Sequence, residues 1–481
     1  MNNPVPAPTP QRRPQRSILL ACTLLYLLLP NVLFLAGWVQ TWIAIPLSLL
    51  LAWMCLLLWK NAPQRRMQRT TVGGWCIILL VPALMTWCIG FDGSFPQTLD
   101  FVVRNAVYAS LVNETWPLYS AQGEYFVYYH AFWLPPAALV KLTGLPSVPV
   151  LMAWTYAGLA LFAALLYRRL RGWSAVFLLL LVLVGNVHEL VLHHDVLLKF
   201  IPLPLPETDF FSRLELANQM VWNTGWMQIL YTYNHAIAVL VFLALYLSRL
   251  LDHEGLLLAS PLMVGMSPIG AVAVAAFLAW LVLRRRGTLL RLLGSPHLYV
   301  GVALLALEGL YFCSGAGSGC CAVWQASINA GLPTATVLGM YLLSILPMAG
   351  MFTLFGWRFR RTAGFQVGLM LTAALPAVWV GVDNNELLYK GGCLVVFFAC
   401  LFLLGSWRHA RTGMRILFAL VLCAAATIPL LRMQHHIRGF AFTPEQKALN
   451  IQNEWQGHLN HPEHVWYARF WGPQAPPLFR K

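Results

Sequence analysis

The chain is divided into apolar runs, most of them long enough to cross a bilayer, with arginine-rich gaps between them. A transmembrane helix needs roughly 17–25 apolar residues. Runs that meet or approach this length fall at 17–38, 42–59, 73–90, 148–167, 173–192, 231–249, 255–266, 268–283, 297–313, 334–356, 363–381, 387–405 and 413–431. Only 10% of the residues are charged and 59% are hydrophobic. Soluble domains carry about 25% charged residues, so a water-soluble fold is excluded. The expected fold class is an all-α polytopic membrane protein.

The formal net charge of +15 could suggest a nucleic-acid partner. The basic residues instead sit in short clusters between apolar runs, as topology signals do, so no nucleic acid is expected. Arg12, Arg13 and Arg16 precede the first run; Lys60, Arg65, Arg66 and Arg69 follow the second. Both groups belong in the cytoplasm, which sends the third run outward and places 91–147 outside. The first run is too long for a signal-peptide core and has no clear cleavage site, so it is expected to be retained.

Parity then constrains 125–142. If it crossed the membrane, Arg168, Arg169 and Arg171 would end outside. Pro135 and Pro136 in its middle would also break a spanning helix. It is therefore expected to lie on the outer surface or to re-enter. Every later cluster then falls inside: Arg249, Arg284 to Arg286 with Arg291, Arg358 to Arg361, and Arg408 to Arg415. The stretch 255–283 is too short for two spans and reads as a shortened hairpin turning at Ser267-Pro268. This organisation gives a transmembrane domain over 1–431, outward loops at 91–147 and 193–230, and an outward tail at 432–481. The ten cysteines lie mostly inside apolar runs, where Cys acts as a small hydrophobe. Cys313, Cys320 and Cys321 share a Gly-rich loop in which a disulfide could close.

Chemistry must come from the outward stretches. Asp100 and Arg104 are four apart in DFVVRNAVYASL and would share a helix face. A carboxylate beside a guanidinium is favoured in its ionised form and could take a proton from an acceptor. The alternative is an interfacial ion pair that only anchors the helix. Asp92, in GFDGSF, is a second candidate carboxylate; its plainer role is a turn cap. VDNNELLYKGG places Asp383, Asn384 and Lys390 where two spans meet, and Lys390 could hold a phosphate. His235, in YTYNHAIAV, is expected at a helix start, where anions are favoured. Tyr128, Tyr129 and His130 could stack on sugars or form an interfacial belt. His188, Glu189, His193, His194 and Asp195 invite a zinc reading, but Leu192 stands where the second His of a zinc helix is required. No metal is assigned. A divalent ion is not favoured, and no other cofactor is expected.

Several motifs in order resemble the GT-C superfamily of membrane glycosyltransferases, specifically its multi-pass bacterial members. They are Asp100 in LDFVVRNAVYASL, the Trp116-Pro117 dipeptide, YFVYYHAFWLPPAALVKLTG, YTYNHAIAVLVFLALYL, SPIGA and DNNELLYKGG. Tyr-Asn replaces the usual Pro before His235. In the last motif the order is Asp-Asn, and the base is Lys390. The resemblance implies a GT-C-like bundle of about 12–13 transmembrane helices with an outer juxtamembrane helical loop. It also implies transfer of a sugar from a polyprenyl-phosphate donor to a glycan, lipid or protein acceptor. The site would lie on the outer face of the bacterial cytoplasmic membrane. Asp100 would be the base, with Arg104, Arg213, His235 and Lys390 on the lipid phosphate. The rival readings are a flippase for a lipid-linked glycan and a glycan polymerase or ligase.

Overall fold

The computed structural model describes residues 17–63, 69–98, 100–120, 123–185, 222–284, 286–315, 320–322, 334–380, 385–451, 471–472 and 475–480. The apolar runs are helices, and the chain is a multi-pass membrane protein. Helices α1 (Ile18–Trp38), α2 (Thr41–Asn61) and α3 (Val72–Cys88) come first. Ser17 and Thr71 cap α1 and α3 through their hydroxyls, each taking one backbone N–H that the first turn leaves free.

The stretch after α3 forms α4 (Asp100–Asn113), a two-residue strand β1 (Tyr125–Phe126), a 3-10 turn at Ala131–Trp133 and α5 (Leu134–Thr143). At 1.5 Å per residue the ten residues of α5 reach about 15 Å, half a bilayer. Pro135 and Pro136 occupy its first turn, where their missing N–H groups are not needed.

Helix α6 (Ser147–Leu170) is long enough to span; the apolar α7 (Trp173–Leu183) is shorter, ending before residue 192 where the run was expected to end, and α8 (Gly225–Ser248) comes next. The hairpin is short, as its length requires: α9 (His253–Ala259), a 3-10 turn at Ser260–Met263, then α10 (Pro268–Leu283). The amphipathic α11 (Arg286–Leu293) leads to α12 (Pro296–Cys313) and strand β2 (Cys320–Ala322). The chain continues through α13 (Thr334–Gly356), α14 (Ala363–Ala377), β3 (Val378–Val380), α15 (Glu386–Trp407), α16 (Thr412–Arg438), α17 (Pro444–Asn450) and β4 (Trp471–Gly472).

Among the described residues, eight helices are long and apolar enough to span a membrane, and four shorter apolar ones accompany them. The run 255–266 is the short arm of that hairpin, a seven-residue helix followed by a 3-10 turn. Other expectations change. Residues 378–380 leave the helix to pair antiparallel with β2, as suits β-branched Val378 and Val380 after Pro376. Helix α16 runs to Arg438, seven residues past the expected end. Cys313, whose pairing the sequence leaves open, carries a free thiol.

The helices α8 and α15 form the centre. In each, 89% of the apolar window is buried, against 28% in the peripheral α2 and α16. They pack on one another, with α6, α10 and α14 around them.

The helix ends sort onto two faces. One face gathers the end of α1, the stretch 90–146, the start of α8, the end of α12, the start of α15 and the segments after α16. Contacts tie them: Phe479 bridges to Val39, β4 pairs with β1, and Tyr311 accepts from the Tyr128 N–H at 3.0 Å. The arginine-rich helix ends sit on the other. There Arg284 donates to the Arg361 carbonyl at 2.9 Å, and Arg408 stacks 4.3 Å from the Trp173 ring.

Candidate functional site

The first face collects most of the residues singled out from the sequence into one cluster. Helix α4 starts at Asp100, so its carboxylate sits at the positive end of the helix. One turn on, Arg104 Nη2 donates to Asp100 Oδ2 at 3.3 Å. The two side chains differ in setting: Asp100 is 46% exposed and Arg104 only 7%. The guanidinium lies 5.6 Å from the Phe101 ring centre and 5.9 Å from that of Tyr233 on α8. Burial works against its charge, but Asp100, Tyr128, Tyr233 and Tyr129 outweigh burial and raise it above the ordinary guanidinium range. Its Nη1 has no hydrogen-bond partner among the described residues.

Helix α8 bends here. Thr232 leaves helical geometry at φ −139° and ψ 44°, with its hydroxyl donating back to the Gln228 carbonyl at 2.9 Å. The bend follows a stretch whose residues Gly225–Leu230, expected to be loop, are helical. Thr224 caps this turn through the Met227 N–H, and the buried Trp222, Asn223 and Gln228 find partners within the protein. His235 therefore does not open a helix; it lies inside α8, just past the kink. Its Nδ1 meets Ser267 Oγ at 3.3 Å, at the tip of the hairpin. Its Nε2 and both amide atoms of Asn234 are buried without hydrogen-bond partners among the described residues.

Lys390 completes the cluster from α15. Asn385 caps that helix through Leu388 N–H at 3.3 Å. Lys390 Nζ lies 2.8 Å from Glu386 Oε2 and donates to the Tyr129 hydroxyl at 3.1 Å. Tyr129 packs between Tyr128, at 4.0 Å between ring centres, and His235, at 4.3 Å. Burial raises both tyrosine hydroxyls above their ordinary range, so each is a neutral donor near pH 7. Asp100, Arg104, Tyr128, Tyr129, His235 and Lys390 thus share one volume, joined by Tyr233, Ser267 and Glu386. Glu386 precedes Lys390 by four residues, and that helical spacing is its signal in the sequence. Tyr233 and Ser267 carry no such signal.

Two candidates stand elsewhere. Asp92 accepts from the Ser94 hydroxyl at 2.6 Å and N–H at 3.1 Å, and from Lys447 of α17 at 3.2 Å. Burial opposes its charge, yet Ser94 and Lys447 hold the carboxyl below the ordinary range. Beside it Gly93, at φ +76°, has no room for a Cβ, which would stand 2.3 Å from the Lys447 carbonyl oxygen. His130 is buried 4.3 Å from the Trp38 ring, with Nδ1 3.1 Å from the Tyr311 hydroxyl. Burial lowers it to about 3, so the ring is neutral near pH 7. Arg213, Asp383, Asn384 and the 188–195 histidine cluster lie outside the described residues. Among the described residues, no three His, Cys, Asp or Glu side chains gather to hold a metal ion. An opening of about 500 Å³ lined by Arg69, Thr71, Tyr167 and Arg171 lies on the opposite face.

The chain matches no family model, no curated protein and no solved structure.

Proposed function

We propose that this protein is a membrane glycosyltransferase. It would move a sugar from a polyprenyl-phosphate-linked donor to a glycan, lipid or protein acceptor, on the outer side of a bacterial cytoplasmic membrane. The observation that carries the reading is the pairing of a half-exposed carboxylate, Asp100, with buried cations and unpartnered buried donors. Arg104 Nη1 and Asn234 Nδ2 are such donors. So is His235 Nε2 in the tautomer whose Nδ1 accepts from Ser267. A buried donor without an acceptor is costly, and an anionic phosphate would satisfy all three.

The step balances simply. The acceptor O–H proton passes to Asp100, and the acceptor oxygen bonds to the anomeric carbon. The bond from that carbon to the phosphate oxygen breaks, and its electron pair stays on the phosphate. Arg104 and Lys390 offset the charge that develops there. Attack opposite the leaving group inverts the anomeric centre. Tyr128 and Tyr129 offer ring faces for the sugar.

The test is the purified protein in nanodiscs with a panel of polyprenyl-phosphate hexoses labelled in the sugar. Release of free polyprenyl phosphate by the wild type, lost in Asp100→Asn, supports the reading. Equal release by both proteins, or labelled lipid carried across the bilayer intact, sinks it.

A further inference from the structure

Glu308 is the one acid inside α12, and it is 1% exposed. An ionised carboxylate at such a place is strongly disfavoured unless a cation or donors compensate. Neither of its oxygens makes a hydrogen bond of good geometry among the described residues; the donor beside it is the Gly265 backbone N–H, which offsets burial only in part. Asn31, fully buried on α1, presents the matching gap. Its Nδ2 donates at 2.8 Å to the Leu27 carbonyl and at 2.8 Å to the Leu262 carbonyl. Both amide hydrogens are used, which fixes the orientation and leaves Oδ1 as an acceptor with no donor among the described residues. The two side chains meet over Gly265: a Cβ there would stand 2.8 Å from Glu308 Oε1 and 3.2 Å from Asn31 Oδ1.

Glu308 Oε1 and Asn31 Oδ1, both acceptors, therefore lie against the same glycine, and no side-chain donor among the described residues reaches either. The Ala131 methyl packs on the same glycine, 3.2 Å from that Cβ position. One proton resolves the conflict. We propose that Glu308 is a proton-binding site, a neutral carboxylic acid whose O–H donates to Asn31 Oδ1. The resulting chain runs from Glu308 through Asn31 to the Leu262 carbonyl. It clamps α12 and α1 to the turn 260–267. Ser267, two residues past Gly265, is the partner of His235. Glu308 is thus a positioning residue for the cluster, whatever chemistry the cluster performs. The titratable neighbours are Tyr311, one turn along α12, and His130, next to Ala131. On the other packed elements, Lys60 of α2, Glu254 of α9 and Arg291 of α11 sit toward the opposite face.

Difference infrared spectroscopy of the full chain in nanodiscs tests this directly. Wild type minus Glu308→Gln at pH 7 is expected to show the C=O stretch of a protonated carboxyl, shifting in D2O. A carboxylate band in its place overturns the proposal. Thermal unfolding supplies the second readout. Gln can donate to Asn31 Oδ1 as the acid does, so Glu308→Gln is expected within a few degrees of wild type, and Glu308→Ala well below it. Equal losses in the two variants overturn the proposal. So does stabilisation by sodium or potassium that Glu308→Gln abolishes, which would mark a cation site.

Discussion

Lys390 Nζ lies 3.1 Å from the Tyr129 hydroxyl and 4.4 Å from the centre of the same ring, joining residues 261 positions apart. The ammonium is therefore held by a neutral phenol and a ring face as well as by Glu386. Replacing Lys390 with Met keeps the stem and removes the charge. Under the proposed chemistry, phosphate release in nanodiscs should fall on the order of 10²-fold, the scale for losing one electrostatic stabiliser. Lys390→Arg should recover only part, because a planar fork does not fit a site built for a point charge. Release unchanged in Lys390→Met would remove this residue from the mechanism.

Asp100 and Arg104 should separate activity from stability. Asp100 is half exposed, so Asp100→Asn should cost about 1 kcal/mol or less in unfolding. Its loss of transfer should be about 10²–10⁴-fold. Arg104→Ala should be the more destabilising change, since it also strips packing from Phe101 and Tyr233. Thermal melts alongside turnover check the order; a larger melting shift for Asp100→Asn would contradict it.

Asp92 should contribute to acid stability. Its folded carboxyl is held below the ordinary range, so its contribution is present above the unfolded value near 3.8 and is lost as pH falls through the folded value. Asp92→Asn should be less stable than wild type at pH 7, with the difference shrinking on acidification. Melting curves across pH 7 to 3 measure this. A gap that stays constant over that range would show that the Asp92 charge is not what matters.

His130 should set a second limb at higher pH. The folded ring titrates at about 3, far below the unfolded value near 6.5. The unfolded chain takes up the proton first, so stability is full above about pH 6.5 and declines steadily below it. His130→Phe, which keeps the packing on Trp38, should flatten that decline. The same acid slope in variant and wild type would place its origin elsewhere.

The pattern of apolar runs made most of the helices legible, because burial in lipid leaves little freedom of secondary structure. The Asp100–Arg104 pair was legible for the same kind of reason: an i, i+4 spacing acts locally. The first turns of α8 were not. Asn223, Thr224 and Gln228 read as loop, since hydropathy does not distinguish water from a polar protein interior. Nor could spacing reveal that Ser267 meets His235 or that Tyr129 meets Lys390. Those contacts depend on how the hairpin and the 125–133 segment fold back on α8 and α15. Glu308 reads as one acid in an apolar run; its significance needs Asn31, which is 277 positions away in sequence and a neighbour only across Gly265.

The backbone of Arg480 bonds Trp38 at 2.8 Å, and its side chain bonds Val39 at 3.0 Å across 441 positions of sequence. During synthesis α1 is in the membrane long before this arginine leaves the ribosome. The end of the first helix must therefore wait, unpaired on that side, while the intervening spans insert. Closure of the face is a late event in assembly, set by the slow search for a distant partner rather than by insertion itself. Insertion intermediates arrested before residue 480 should keep their helices and leave this face open to proteases.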